Sequence, residues 1–137
     1  MVRITFSKDI MSFMTFFESM TRVPLKDCLV DGNSQLVFVV EQGTIGKAIG
    51  KKGANARRLE KALNRKIKIV EFNPLPEEFA KNLISPLKAE ISEEEGVLIM
   101  KCNDGTTRSL LIGRGAKNLK NYESILRRHF DKTLKVA

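Results

Sequence analysis

The chain has 137 residues, 42% of them apolar, which allows one domain or two small ones and excludes a large multidomain machine. Its 24 Lys and Arg against 16 Asp and Glu give a formal charge of +8, pointing to an anionic partner with nucleic acid first. Two cysteines (Cys28, Cys102), one histidine (His129) and no tryptophan exclude a disulfide framework and a catalytic zinc cluster, so no metal or cofactor is expected.

The opening residues lack the uninterrupted apolar region and small-residue cleavage site of a secretory leader. The stretch from Asp9 to Met20 contains Asp9 and Glu18 and falls short of the ~18 apolar residues of a membrane span. A cytoplasmic chain without membrane contact is expected. Ile10, Phe13, Met14, Phe17 and Met20 recur at helical spacing and predict a first helix with a core-facing stripe. Strands are expected at Leu25–Val30 and Leu36–Val40, joined through the hairpin signal Asp31-Gly32-Asn33-Ser34. A short helix then leads to a glycine loop, Ile49-Gly50-Lys51-Lys52-Gly53. It is followed by a helix carrying Ala56, Leu59 and Leu63 and a strand over Lys66–Phe72.

After Asn73-Pro74-Leu75 a helix is expected to start at Pro76, with Glu77 and Glu78 in its first turn and Phe79 and Leu83 facing inward; Pro86 stops it. Strands are predicted at Leu87–Ile91 and Val97–Cys102 around a turn at Ser92–Gly96. A second glycine loop, Ile112-Gly113-Arg114-Gly115-Ala116, precedes a helix carrying Leu119, Tyr122, Ile125, Leu126 and Phe130, then a strand over Lys132–Val136. Cys28 and Cys102 fall on strands as packing groups, and His129 at a helix end.

The order is the same unit written twice. Ile49 to Arg57 aligns without gaps on Ile112 to Lys120 at a constant offset of 63, with Ile, Gly, a basic third position, Asn and a basic ninth position recurring. Hairpins make the first two strands of each copy antiparallel, and the helical crossover makes the second and third parallel. The expected fold is α+β, two mixed three-stranded sheets each with one face covered by helices, divided at 1–73 and 74–137. The short, stiff joint between the copies predicts one rigid block.

Charge follows the repeat. Residues 47–68 hold nine basic groups against Glu60, and residues 114–135 hold seven against Glu123 and Asp131, while the remainder is net acidic. Glycines inside both blocks would let the backbone approach a ligand, and the helix that follows would aim its free N–H groups at it. Such a device suits a sugar-phosphate backbone. The Walker pattern fails, because Gly46 to Gly50-Lys51 has one residue too few and Lys52 stands in place of the hydroxyl. No carboxylate pair suggests acid–base work, and no enzyme is expected.

The two loops, each between a strand and a helix, resemble the signature of the KH RNA-binding domain in its type II form. The junction Glu71-Phe72-Asn73-Pro74 with Phe79, Asn82 and Pro86 resembles the joint of tandem KH domains in the NusA transcription factors. With no room for the further domains of the bacterial proteins, the resemblance is to the short archaeal NusA-like family. It implies single-stranded RNA clamped over about four nucleotides per domain. By position, Lys47, Gly50, Lys51, Lys52, Gly53, Asn55, Arg57 and Arg58 would take the RNA backbone in the first copy, with Ile49 and Ile69 under the bases. In the second, Gly113, Arg114, Gly115, Ala116, Asn118 and Lys120 would do so, Ala116 departing from the pattern where the last glycine belongs. The resemblance further implies a monomer acting in elongation, termination or antitermination with RNA polymerase or an elongation complex. Left open are a ribosome-associated or RNA-processing subunit, single-stranded DNA as ligand, and an assembly module docking through Asp27, Asp31 and Glu90–Glu95.

Overall fold

A computed structural model of the chain describes residues 6–137; the opening residues read for a leader, and the expected start of the first domain, lie outside the described part. The described residues form an α+β fold with two three-stranded mixed sheets, in two compact units that divide between Phe72 and Asn73.

In the first unit, helix α1 (Lys8–Thr21) begins where the Ser7 hydroxyl accepts the Ile10 N–H, and ends at Arg22, a left-handed residue whose N–H returns to the Glu18 carbonyl. Its predicted stripe faces the core. Phe17 is buried and stacks on Phe38 with ring centroids 4.4 Å apart, while Ile10, Phe13, Met14 and Met20 pack partly buried around it. Strand β1 (Leu25–Val30) runs antiparallel to β2 (Leu36–Val40), and β3 (Ile67–Glu71) pairs parallel on the other side. All five residues of β2 are buried, which is why it reads as a continuous apolar run. Between β2 and β3 come α2 (Ile45–Ile49), one 3₁₀ turn and α3 (Ala54–Leu63). Leu59 of α3 joins Phe17 and Phe38 in the core, each fully buried side chain contributing about 1.5–3 kcal/mol.

The second unit repeats the order. Helix α4 (Pro76–Ile84) buries Phe79, Ala80, Leu83 and Ile84; β4 (Glu90–Glu94) runs antiparallel to β5 (Val97–Lys101), and β6 (Thr133–Val136) lies parallel to β5. Between β5 and β6 lie α5 (Gly105–Ile112), a 3₁₀ turn and α6 (Lys117–Leu126).

Four expectations change. Strand β4 lies three residues later than predicted at both ends. Leu87 belongs to the turn that closes α4, its N–H donating to the Ile84 carbonyl, and Ser92 to Glu94 are strand, not turn. The hairpin turns instead at Glu95 and Gly96, both at positive φ. The polar residues deceive because β4 is an edge strand with mostly solvated side chains. Cys102 lies just past β5, not on it, and Phe130 lies past α6, where tight turns follow Leu126 and its ring packs 5.8 Å from that of Phe79. Asp27 is fully buried on β1 and donates nothing to an acidic docking face; one carboxylate oxygen accepts the Cys28 N–H.

Candidate nucleic-acid interface

Each glycine loop is a turn with positive φ at its first, third and fourth positions. Gly50 sits at φ 80°, ψ 168°, a region open essentially to glycine alone, followed by left-handed Lys52 (φ 54°) and Gly53 (φ 75°). Gly113 (φ 73°, ψ 173°), Gly115 (φ 62°) and Ala116 (φ 61°) repeat that turn. In each copy one of the three positions carries a side chain, Lys52 in the first and Ala116 in the second. The departure at Ala116 therefore leaves the backbone path intact, at the strain of one left-handed alanine.

An asparagine straps each loop. The Asn55 amide donates to the Lys47 carbonyl of α2 at 3.2 Å, and the Asn118 amide donates to the Leu110 carbonyl of α5 at 2.8 Å. The strap explains the first glycine, since a Cβ at Gly50 would lie 2.9 Å from Asn55 Cγ and one at Gly113 would lie 2.8 Å from Asn118 Cγ. Asn55 and Asn118, expected to take RNA, have amides that hold the helix before the loop to the helix after it. Arg57, two residues further along α3, donates from Nη1 to the Lys52 carbonyl and closes the turn from the other side.

The remaining expected residues surround this scaffold. Lys47, Lys51, Lys52, Arg57 and Arg58 are exposed around the first loop, and Arg114 and Lys120 around the second. Helices α3 and α6 follow Gly53 and Ala116 with no side-chain cap; the Ala54 N–H donates to the Lys51 carbonyl and the Lys117 N–H to the Arg114 carbonyl, and the positive dipole end of each helix lies beside the cations. Ile49, at the end of α2, and Ile69, on β3, are half-buried, and α2 packs against β3. Their counterparts in the second unit are Ile112, ending α5, and Val136, which pairs with Met100 as Ile69 pairs with Phe38. Sequence comparison missed Val136 because the constant offset breaks at the turn after α6.

The helix entering the second loop has a cap of its own. Asp104 Oδ2 accepts the Thr107 N–H at 2.9 Å, and these backbone hydrogen bonds lower its pKa below the ordinary 3.8. Among the described residues, no group of three His, Cys, Asp or Glu could hold a metal ion, and no helix is long and apolar enough to cross a membrane.

Known proteins share this architecture. The KH domain family model matches residues 14–74, from α1 to just past β3. The probable transcription termination protein NusA of Methanocaldococcus jannaschii is 31% identical over 133 residues, 93% of this chain and 70% of that one. Its namesake from Halobacterium salinarum is 30% identical over 131 residues, 93% and 94% of the two chains, and that of Halococcus morrhuae 27% over 133 residues, 95% of each. The crystal structure of APE1850 superposes with a TM-score of 0.74 at 29% identity, covering 96% of this chain and 99% of that one. The glycine loop lies within the KH match, and relatives of one name align over more than nine-tenths of the sequence: the chain belongs to the archaeal NusA-like family of KH proteins.

Proposed function

We propose that the chain is an RNA-binding transcription factor that holds single-stranded RNA on two type II KH domains, residues 1–73 and 74–137, as a monomer working with the transcription machinery. The observation that carries the reading is the loop built twice. Two different sequences, Lys51-Lys52-Gly53 and Arg114-Gly115-Ala116, adopt one backbone path, each opening on an uncapped helix start ringed by exposed cations. A loop that served only to connect helices would not need a glycine-only first position, an asparagine strap and unpaired positive charge together. The names of the relatives, probable transcription termination protein NusA, support a role in transcription termination, and RNA polymerase or an elongation complex is the partner to look for.

In this mechanism Gly50 and Gly113 keep side chains off the approach, the first-turn N–H groups of α3 and α6 beyond those of Ala54 and Lys117 take phosphate oxygens, and Lys51, Lys52 and Arg114 neutralise them. Ile49 with Ile69, and Ile112 with Val136, form the apolar floor for the bases. A fluorescence-anisotropy titration against single-stranded RNA, its duplex and the matching DNA, at two salt concentrations, tests the reading. Salt-sensitive preference for single-stranded RNA that Lys51→Asp/Lys52→Asp loses is the expected result. Binding that the variant retains would reduce the loops to scaffolding and move the weight to a protein-assembly role.

A further inference from the structure

The first unit carries more positive charge than its loop uses. Along the outward face of α3, opposite buried Leu59, run Arg57 and Lys61 one four-residue step apart, with Arg65 and Lys66 beyond the helix end; together with Glu60 and Asn64 they line one open groove. Like charges four residues apart repel and weaken a helix by a few tenths of a kcal/mol per pair. Nothing within the chain offsets this at the far end: among the described residues no carboxylate forms an ion pair with Lys61 or Lys66, and Glu60 is the groove's single acid. Arg65 is held in place, its guanidinium 5.7 Å from the Phe13 ring centroid on α1. Arg57 belongs to both features, since it closes the glycine loop and opens the groove.

The second unit breaks the row. Ser124 stands at the position of Lys61, and the residue that enters β6 as Lys66 enters β3 is Lys132, whose ammonium pairs with Glu93 at 3.2 Å. The excess is thus a property of one unit and not of the shared architecture.

We propose that this groove is a second phosphate track, in which the RNA strand held by the first loop continues past the clamp and lays further phosphates along Arg57, Lys61, Arg65 and Lys66. Arg57 and Lys61 lie about 6 Å apart along the helix axis, and Arg65 and Lys66 extend the groove past its end. The track reads no bases. It lengthens the footprint of the first site beyond the about four nucleotides that a KH loop clamps, and it rests on the RNA-clamp reading above.

The test uses the full chain carrying Gly115→Asp, which puts a carboxylate into open space in the second loop and removes that loop's contribution. Affinities are measured for uridine-rich RNAs of about four and about ten nucleotides, with Lys61→Ala/Lys66→Ala added and, as a charge-matched control, Lys8→Ala/Lys88→Ala added. The track predicts an unchanged affinity for the short RNA, a loss on the order of tenfold for the long one, and a log–log salt slope shallower by about 1.4 for two lost contacts to a single strand. Equal loss on both lengths, a loss matched by the control, or no loss overturns it. If the short RNA binds and the long one gains nothing, the track alone falls; if neither RNA binds, the clamp reading falls with it.

Discussion

Ala116 and Lys52 hold a backbone conformation that glycine would adopt without strain, and each does so in a different copy of the same turn. A left-handed residue with a Cβ costs about 1–2 kcal/mol, whereas introducing glycine loosens the unfolded chain by about 0.4–1 kcal/mol. The difference favours glycine. Ala116→Gly is therefore expected to raise stability by about 0.5–1 kcal/mol, read as a higher denaturant midpoint with an unchanged slope. Lys52→Gly should stabilise by a similar amount while weakening RNA binding, because it removes an exposed cation together with the strain. A Lys52→Gly variant that binds RNA as tightly as the parent would show that this lysine serves only the turn. The same pair of residues explains why Gly-x-x-Gly is an incomplete description of the motif: the turn demands three positive-φ positions, and either the third or the fourth tolerates a side chain.

At the scale of elements, the loops depend on the helices on either side being held together. Asn118→Ala removes the strap from α6 to the Leu110 carbonyl and should cost about 1 kcal/mol of stability. It should also lower RNA affinity although no charge changes; intact affinity would mean that the turn keeps its shape without the strap. Asp104 adds a pH dependence to the helix that enters the second loop. Its folded pKa is depressed by the backbone bonds at Thr107, so its contribution is fully present above the ordinary 3.8 and is lost as the pH falls through the lower folded value. Asp104→Asn keeps the cap but cannot titrate, so thermal melts through the acid range should show a shallower fall in Tm than the parent. The elements themselves were largely legible in the sequence wherever burial imposed a pattern. Leu25–Val30 and Leu36–Val40 emerged at their observed bounds because a turn signal separates two apolar runs, and α4 because Pro76 starts it and Phe79 and Leu83 face inward. β4 was displaced because an edge strand with solvated glutamates has the composition of a loop. The recurrence of Asn55 and Asn118 was visible, but recurrence alone does not separate a ligand contact from a strap. The legible signal was the coupling of each asparagine to the glycine five residues before it.

Across the whole molecule, charge is segregated: two blocks carry all of the positive excess and the rest of the chain is net acidic. An acidic remainder repels a polyanion elsewhere and steers it toward the two loops, which favours site-specific encounter over general adhesion. Under the proposed function, two weak clamps in one chain have a further consequence. Once a strand is long enough to engage the second loop without leaving the first, that second step becomes intramolecular, and avidity can exceed either affinity by about 10² or more. Affinity should therefore rise in a step as single-stranded RNA is lengthened, and the length at the step measures the reach between the loops. Gly53→Asp and Gly115→Asp separate this from a simple sum of sites. Gly53→Asp sets a carboxylate beside the Arg57 guanidinium, and Gly115→Asp sets one in open space. Gly53→Asp should abolish the step and leave long and short RNAs bound with similar, weak affinity, whereas Gly115→Asp should leave only the smaller gain with length that the groove along α3 supplies. The double variant should bind neither. A full step that survives Gly115→Asp would assign the length dependence to the first unit alone, in which case the groove along α3 and not the second loop supplies it.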